Sequence, residues 1–137
     1  MPRTCPGKAH RYHFLLVNMS RYQRHVFVCI NERPPQHPKE CCFLKGSAEN
    51  RELLKVELKR RGLGRIVRAN TSGCLDACQH GPSMVIYPEG IWYGGVQKED
   101  IPEIVDRTIL RGEVIQRLLI SDGRYAPDAL QFPPLET

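Results

Sequence analysis

The sequence predicts an α/β fold with a mixed sheet, in which the elements follow the order β-α-β-β-β-α. Three observations support this fold class. Two β-prone runs flank a helical segment, which is the pattern of a parallel β-α-β unit. Two later apolar runs are separated by Pro88-Glu89-Gly90, a sequence suited to the turn of an antiparallel hairpin. The last helical segment has an apolar face that is expected to pack, like the first helix, on the sheet.

The first half of the chain supplies the β-α-β unit. Val26 to Val28 form a continuous β-prone run, and three prolines in the segment that follows prevent a helix there. Ser47 is expected to cap the helix, and Gly62 and Gly64 to end it. The predicted elements are a strand at His25 to Cys29, a loop at Ile30 to Gly46, a helix from Ser47 to about Arg61 and a strand at Arg65 to Arg68.

The second half supplies the hairpin and the last helix. Isoleucines at positions 101, 104 and 109 recur at helical spacing, and Gly112 ends the pattern. The predicted elements are a loop at Ala69 to Ser83, strands at Met84 to Tyr87 and Ile91 to Val96, and a helix from Glu99 to about Arg111.

The length of 137 residues corresponds to one domain with short tails. Residues 1–20 show no clear periodicity and are assigned to a basic N-terminal tail, in which Met19 is an alternative translation start. The domain is predicted over residues 21–120. Prolines at positions 127, 133 and 134 assign residues 121–137 to a C-terminal tail.

Composition and charge exclude several classes of protein. Hydrophobic residues make up 41% and charged residues 26% of the chain, which is ordinary for a globular protein. Because no apolar run approaches the length of a membrane span or a signal-peptide core, we expect a cytoplasmic protein without membrane insertion. The net charge of +5 comes entirely from residues 1–28, which have no interleaved stacking motif, so nucleic-acid binding is not predicted.

The cysteines carry the main functional prediction. In a reducing compartment, six cysteines indicate metal or redox chemistry rather than structural disulfides. Cys29 and Cys42 lie in the loop after the first parallel strand, and Cys74 and Cys78 lie in the loop after the second. Because such loops meet at one edge of a parallel sheet, four thiolates are expected to converge there. Such a site suits zinc or an iron-sulfur cluster.

The spacing of the cysteines favours some of these centres over others but does not select a single one. Zinc sites generally use two short pairs, so the twelve residues between Cys29 and Cys42 make zinc the second choice. The bacterial [4Fe-4S] run, the plant-type ferredoxin spacing and a complete Rieske motif are absent from the sequence. A thiol-disulfide oxidoreductase would need a C-x-x-C pair, which is missing as well.

Several motifs together resemble the thioredoxin-like [2Fe-2S] ferredoxins over about residues 25–120. The matching segments are His25-Val26-Phe27-Val28-Cys29, Arg33-Pro34-Pro35, His37-Pro38, Cys42, Gly46-Ser47, Gly73-Cys74-x-x-Ala77-Cys78, Gly81-Pro82, Tyr87-Pro88-x-Gly90-x-Trp92-Tyr93 and Glu103-Ile104-Val105. The resemblance implies a thioredoxin-like fold, frequently a homodimer, that binds one [2Fe-2S] cluster and moves one electron.

The resemblance also implies the cluster ligands, which would be Cys29, Cys42, Cys74 and Cys78. Cys41 is the alternative to Cys42, but its spacing from Cys29 does not match the family, and Cys5 would be a free thiol in the tail. Glycines 46, 73 and 81 are expected to let the backbone approach the cluster sulfurs closely.

The function implied is that of a soluble one-electron carrier without substrate chemistry of its own. Its electron donor and acceptor would be redox proteins that the sequence does not identify. One alternative is a cluster-bearing subunit of a larger oxidoreductase, such as a complex I-like or hydrogenase-type NADH dehydrogenase module, although the complex I subunit has a shorter first spacer. A zinc-stabilised interaction domain is the other alternative.

Overall fold

The fold is built on a mixed four-stranded sheet. The computed structural model describes residues 21–34, 36–38, 41–125 and 135, so the predicted tail at residues 1–20 and most of residues 121–137 lie outside the described residues. The strands are β1 (Arg24–Cys29), β2 (Val67–Ser72), β3 (Met84–Tyr87) and β4 (Ile91–Tyr93). They are arranged in the order β2-β1-β3-β4.

The strand directions confirm the predicted combination of a parallel unit with a hairpin. Strand β1 pairs in parallel with β2, with Cys29 opposite Ser72 at the end of both strands. On its other side β1 pairs with β3 in the antiparallel direction, and β3 pairs in the same way with β4. The Gly90 N–H donates to the Ile86 carbonyl and closes the turn between β3 and β4.

Two of the predicted strands had wrong boundaries. Strand β2 begins at Val67 and continues to Ser72, although the sequence predicted Arg65 to Arg68. Its polar second half is held by pairing with β1, a tertiary effect that outweighs local β propensity. Strand β4 ends at Tyr93, because the N–H groups of Gly94 and Gly95 donate to carbonyls outside the sheet.

The helices lie close to their predicted positions. Helix α1 spans Ser47–Arg60 and buries Leu54 and Leu58. The expectation that Ser47 caps this helix was wrong, because Gly46 occupies the cap position. Helix α2 begins as an α-helix at Ile101–Glu103 and continues with π-helical hydrogen bonds over Ile104–Leu110. Short 3₁₀ turns lie at Phe43–Lys45, Cys78–His80, Lys98–Asp100 and Gln116–Leu118.

The core lies between the sheet and the two helices. Its largest fully buried side chain is Tyr93, whose hydroxyl lies 2.6 Å from the Thr108 hydroxyl and accepts a hydrogen bond from the Ile115 N–H. At the end of β1 that is remote from Cys29, the buried Arg24 forms an ion pair of 2.7 Å with Glu89. In the part of the chain that the structure describes, no helix has the length and apolar character needed to cross a membrane.

Candidate metal centre

Four of the cysteines lie at one edge of the sheet. Cys29 is the last residue of β1, and Cys42 precedes the 3₁₀ turn that leads into α1. Cys74 and Cys78 follow β2, which ends at the same edge because it runs parallel to β1. The side chains of Cys29, Cys42 and Cys78 are buried, whereas Cys74 is exposed.

Cys29 and Cys42 form the inner pair. The Cys29 thiol hydrogen-bonds to Cys42, and this contact, followed by burial, raises the pKa of Cys29. The same contact lowers the pKa of Cys42 to about 5, and the Ser83 hydroxyl, 3.4 Å from the Cys42 sulfur, acts in the same direction. The Asn31 N–H donates to the Cys29 sulfur. The inner pair therefore has neutral hydrogen-bond donors, and the charge of Lys45 also helps to lower the pKa of Cys42.

Cys74 and Cys78 form the outer pair, with their sulfurs 3.3 Å apart. The Asp76 N–H donates to the Cys74 sulfur at 3.3 Å and is the largest cause of a lowered pKa at Cys74. Asp76 has a positive φ of 58°, the backbone conformation of the tight loop between the two cysteines. Burial, followed by the contact with Cys74, raises the pKa of Cys78.

Two hydrogen bonds link the loop of the inner pair to the loop of the outer pair. The Leu75 N–H, which follows Cys74 in the chain, donates to the Cys29 sulfur of the inner pair. Lys45, three residues after Cys42, donates from Nζ to the Cys78 carbonyl at 3.3 Å. The structure therefore brings all four predicted site residues together at this edge of the sheet.

Gly81 lies between the two pairs and has no room for a side chain. A Cβ at this position would lie 2.8 Å from the Cys42 sulfur and 3.2 Å from the Cys78 carbonyl oxygen. The expectation of close approach thus holds at Gly81. At Gly46 and Gly73 a Cβ would meet no protein atom within 4 Å, and close approach to the cluster stays a prediction there.

Arg33 contacts the outer pair from the first loop. Its Nη2 donates to the sulfurs of both Cys74 and Cys78, each at 3.3 Å. Its Nε is buried and has no acceptor among the residues that the structure describes. Arg33 thus places a positive charge at two sulfurs and has a further buried N–H donor. Such a side chain can bind a negatively charged group held between the cysteines.

The donor set fits a two-iron cluster. In such a cluster each iron takes two thiolates, and the sulfurs here lie in two pairs. Hydrogen bonds from backbone N–H groups and from Arg33 reach the sulfurs, as an anionic iron-sulfur centre requires. Within residues 21–34, 36–38 and 41–125, no three side chains from His, Cys, Asp or Glu are grouped as ligands of one metal ion.

Contacts distinguish Cys42 from Cys41 as the partner of Cys29. Both side chains are 0% exposed, so burial does not separate them. In the described part of the chain, the sulfur that contacts Cys29 and Ser83 is that of Cys42. Cys5 lies outside the described residues.

Sequence reasoning missed the roles of Arg33, Ser83 and Lys45. Arg33 stands in a matching motif with Pro34, yet nothing in the local sequence shows that its side chain reaches a loop more than forty positions away. Ser83 precedes a strand as many loop serines do. The register of β1 with β2 and β3 brings these residues to the cysteines, and that register is a tertiary property.

Comparison with known proteins identifies the family of this chain. No family model matches the chain. A protein named "Ferredoxin, 2Fe-2S" from Aquifex aeolicus (strain VF5) is 40% identical over 102 residues, which cover 74% of this chain and 92% of that protein. A protein of the same name from Clostridium pasteurianum is 42% identical over 98 residues, covering 72% of this chain and 96% of that protein.

A solved structure agrees with these relatives. The structure of a thioredoxin-like [2Fe-2S] ferredoxin from Aquifex aeolicus has a TM-score of 0.70 to this chain at 38% identity, and the match covers 81% of this chain and 99% of that one. The predicted thioredoxin-like α/β fold is thereby confirmed. Because both the identity and the coverage of the relatives are high, this chain belongs to the family of thioredoxin-like [2Fe-2S] ferredoxins.

Proposed function

We propose that this protein is a one-electron carrier that binds a single [2Fe-2S] cluster through Cys29, Cys42, Cys74 and Cys78. The observation that carries the proposal is the convergence of two cysteine pairs at one edge of the sheet, with sulfurs in contact within each pair. When bound, a [2Fe-2S] cluster accepts and releases one electron at a time. The relatives that carry the ferredoxin name match over nearly their whole length.

The protein's own residues hold and shield the redox centre. The inner pair, Cys29 and Cys42, is fully buried and would anchor one iron away from water. The outer pair includes the exposed Cys74, which gives electrons a short route to the surface. The N–H groups of Asn31, Leu75 and Asp76 offset negative charge on the thiolates without moving a proton.

The protein is expected to work in the cytoplasm, as a homodimer, between two redox proteins. Five cysteines in the described residues are free, as expected in the reducing cytoplasm. We infer a homodimer that takes electrons from one redox protein and passes them to another, without substrate chemistry of its own. Sedimentation of the purified protein at twice the mass of one chain would support the homodimer, and a single-chain mass would refute it.

A free carrier is favoured over a subunit of a larger oxidoreductase. The two curated relatives are named ferredoxins and match over 92% and 96% of their own length, so the similarity covers nearly the whole of each relative. A cluster-bearing subunit would co-purify with its neighbours. Purification of this protein alone with its cluster intact is the expected result.

The ligand assignment is tested by replacing neighbouring cysteines. We expect Cys42→Ser to lose or weaken the cluster, because the Cys42 sulfur is the one paired with Cys29. Cys41→Ser is the matched control, since it makes the same change at an equally buried neighbour. Iron and sulfide per chain and the visible absorption spectrum are the measurements.

The outcomes separate the ligand assignment from the function itself. Cluster loss in Cys41→Ser with retention in Cys42→Ser would exchange the roles of the two cysteines and leave the carrier function standing. A wild-type protein that is colourless and contains zinc would refute the carrier function.

A further inference from the structure

We propose that Arg33 is a fixed cation that stabilises the reduced state of the site and raises its reduction potential. The inference rests on the proposed binding of a [2Fe-2S] cluster by the four cysteines. Arg33 is not a proposed ligand of iron. It would act on the cluster through its positive charge.

The geometry of Arg33 carries the inference. One guanidinium nitrogen, Nη2, donates to the sulfurs of Cys74 and Cys78 at 3.3 Å each. The Nε of the same side chain is buried and has no acceptor in the described part of the chain. The guanidinium is thus held at the outer pair with a donor still available to an anionic neighbour, and it carries its positive charge at every physiological pH.

The two cysteine pairs differ in the groups that donate hydrogen bonds to their sulfurs. The inner pair is contacted by neutral donors, namely the Ser83 hydroxyl and the Asn31 N–H. Lys45 is a second cation near the site: its Nζ donates to the Cys78 carbonyl oxygen, and its charge helps to lower the pKa of Cys42. Arg33 is thus a cation that donates directly to the sulfurs of the outer pair.

The electron count shows why this cation matters. Two ferric ions, two sulfides and four thiolates sum to minus two, and one electron from a redox partner protein makes the sum minus three. No bond forms or breaks, and no proton is needed. A positive charge beside the sulfurs interacts more favourably with the more negative state, so it favours reduction.

The test is the reduction potential of the Arg33→Gln protein, measured by spectroelectrochemical titration of the cluster-loaded chain. Glutamine keeps a hydrogen-bond donor and removes the charge. We expect the equilibrium constant for reduction by a given donor to fall roughly tenfold, which is about 59 mV for one electron. The difference from wild type is expected to narrow at high salt, because Arg33 is only partly buried.

Lys59→Gln is the matched control. It removes one positive charge from an exposed residue near the far end of helix α1, roughly 18 Å along the helix from Ser47 by the usual rise per residue. We expect its potential to equal that of wild type. A potential for Arg33→Gln that is no lower than that of Lys59→Gln would overturn the proposal.

Arg33→Lys separates charge from geometry. It keeps the positive charge, so its potential is expected to lie closer to wild type than that of Arg33→Gln. Equal potentials for the two Arg33 variants would overturn the proposal, and so would loss of the cluster from both, which would make Arg33 an assembly residue. A wild-type protein without a cluster would instead refute the proposed function.

Discussion

Single residues set the space and the charge around the sulfurs. Gly81 leaves room for the Cys42 sulfur, because any Cβ at that position would lie 2.8 Å from it. Asp76 turns its N–H toward Cys74 from a left-handed backbone conformation. These details depend on one backbone passing close to another, so each is sensitive to a single substitution.

Replacing Gly81 with alanine is expected to displace the Cys42 sulfur and reduce the iron bound per chain severalfold. Contacts of this length hardly occur, and the neighbouring Cys78 carbonyl at 3.2 Å leaves the new methyl group no free direction. Gly73→Ala is the control, because a Cβ there meets nothing within 4 Å. Equal iron content in the two variants would show that the close approach at Gly81 is unimportant.

The thiol chemistry of the iron-free protein is expected to distinguish Cys74 from Cys78. Cys74 is exposed and its pKa is lowered, whereas burial raises the pKa of Cys78. Because the thiolate is the reactive form, iodoacetamide should modify Cys74 first at pH 7. Peptide mass spectrometry measures both rates, and faster modification of Cys78 would contradict the described hydrogen bonds.

The cysteines could be predicted from sequence, but their neighbours could not. Cys29 is recognisable because it ends a β-prone run, and Cys42 because its distance from Cys29 in the sequence fits the family. Arg33 and Ser83 are ordinary loop residues whose importance arises only from contacts across the fold. A single sequence shows residue types and their spacing along the chain. It does not show which distant cysteines Arg33 and Ser83 contact in the folded protein.

At the scale of elements, the parallel pairing of β1 and β2 positions the site. It brings the ends of both strands, and therefore both cysteine loops, to one edge of the sheet. The element order and the hairpin could be predicted from apolar runs and turn residues. The extent of β2 could not, because Asn70 and Ser72 are held in the strand by pairing with β1 rather than by their own propensity.

The opposite end of β1 is held by a buried ion pair. Arg24 and Glu89 have side-chain exposures of 3% and 4%, and the Arg24 Nη1 also donates to the Ile109 carbonyl at the end of α2. The pair therefore ties β1 to the hairpin turn and to the last helix. It lies away from the cysteines, so its role is one of stability.

Arg24→Gln is expected to lower the free energy of unfolding by about 3 to 5 kcal/mol, because it leaves the Glu89 carboxylate buried without its partner. The measurement is urea unfolding followed by far-UV circular dichroism. Arg60→Gln removes an exposed partner of Glu57 and is expected to have little effect. An equally small effect of Arg24→Gln would mean that water replaces the buried pair.

At the scale of the whole molecule, the proposed domain of residues 21–120 has contacts beyond its C-terminal boundary. The Tyr125 hydroxyl donates to the Asp76 carbonyl, and its ring lies 5.0 Å from that of Trp92. The Leu135 N–H donates to the Leu110 carbonyl. The boundaries remain predictions, but the bond from Tyr125 joins the segment after residue 120 to the loop that carries the outer cysteine pair.

Two truncations test the boundaries at opposite ends. A chain that starts at Met19 is expected to keep its cluster as long as the full chain does, because the site lies entirely within residues 29–83. A chain that stops after Ile120 should lose its cluster faster in air, because it lacks the bond from Tyr125 to Asp76. The decay of visible absorption measures both, and equal half-lives would argue against a role for Tyr125.

The most direct test of the account is the iron and acid-labile sulfide content of the protein purified without oxygen, together with the number of electrons it accepts. We expect a red-brown protein with about two irons and about two sulfides per chain that takes up one electron. A colourless protein with zinc, or one with four irons per chain, would contradict it.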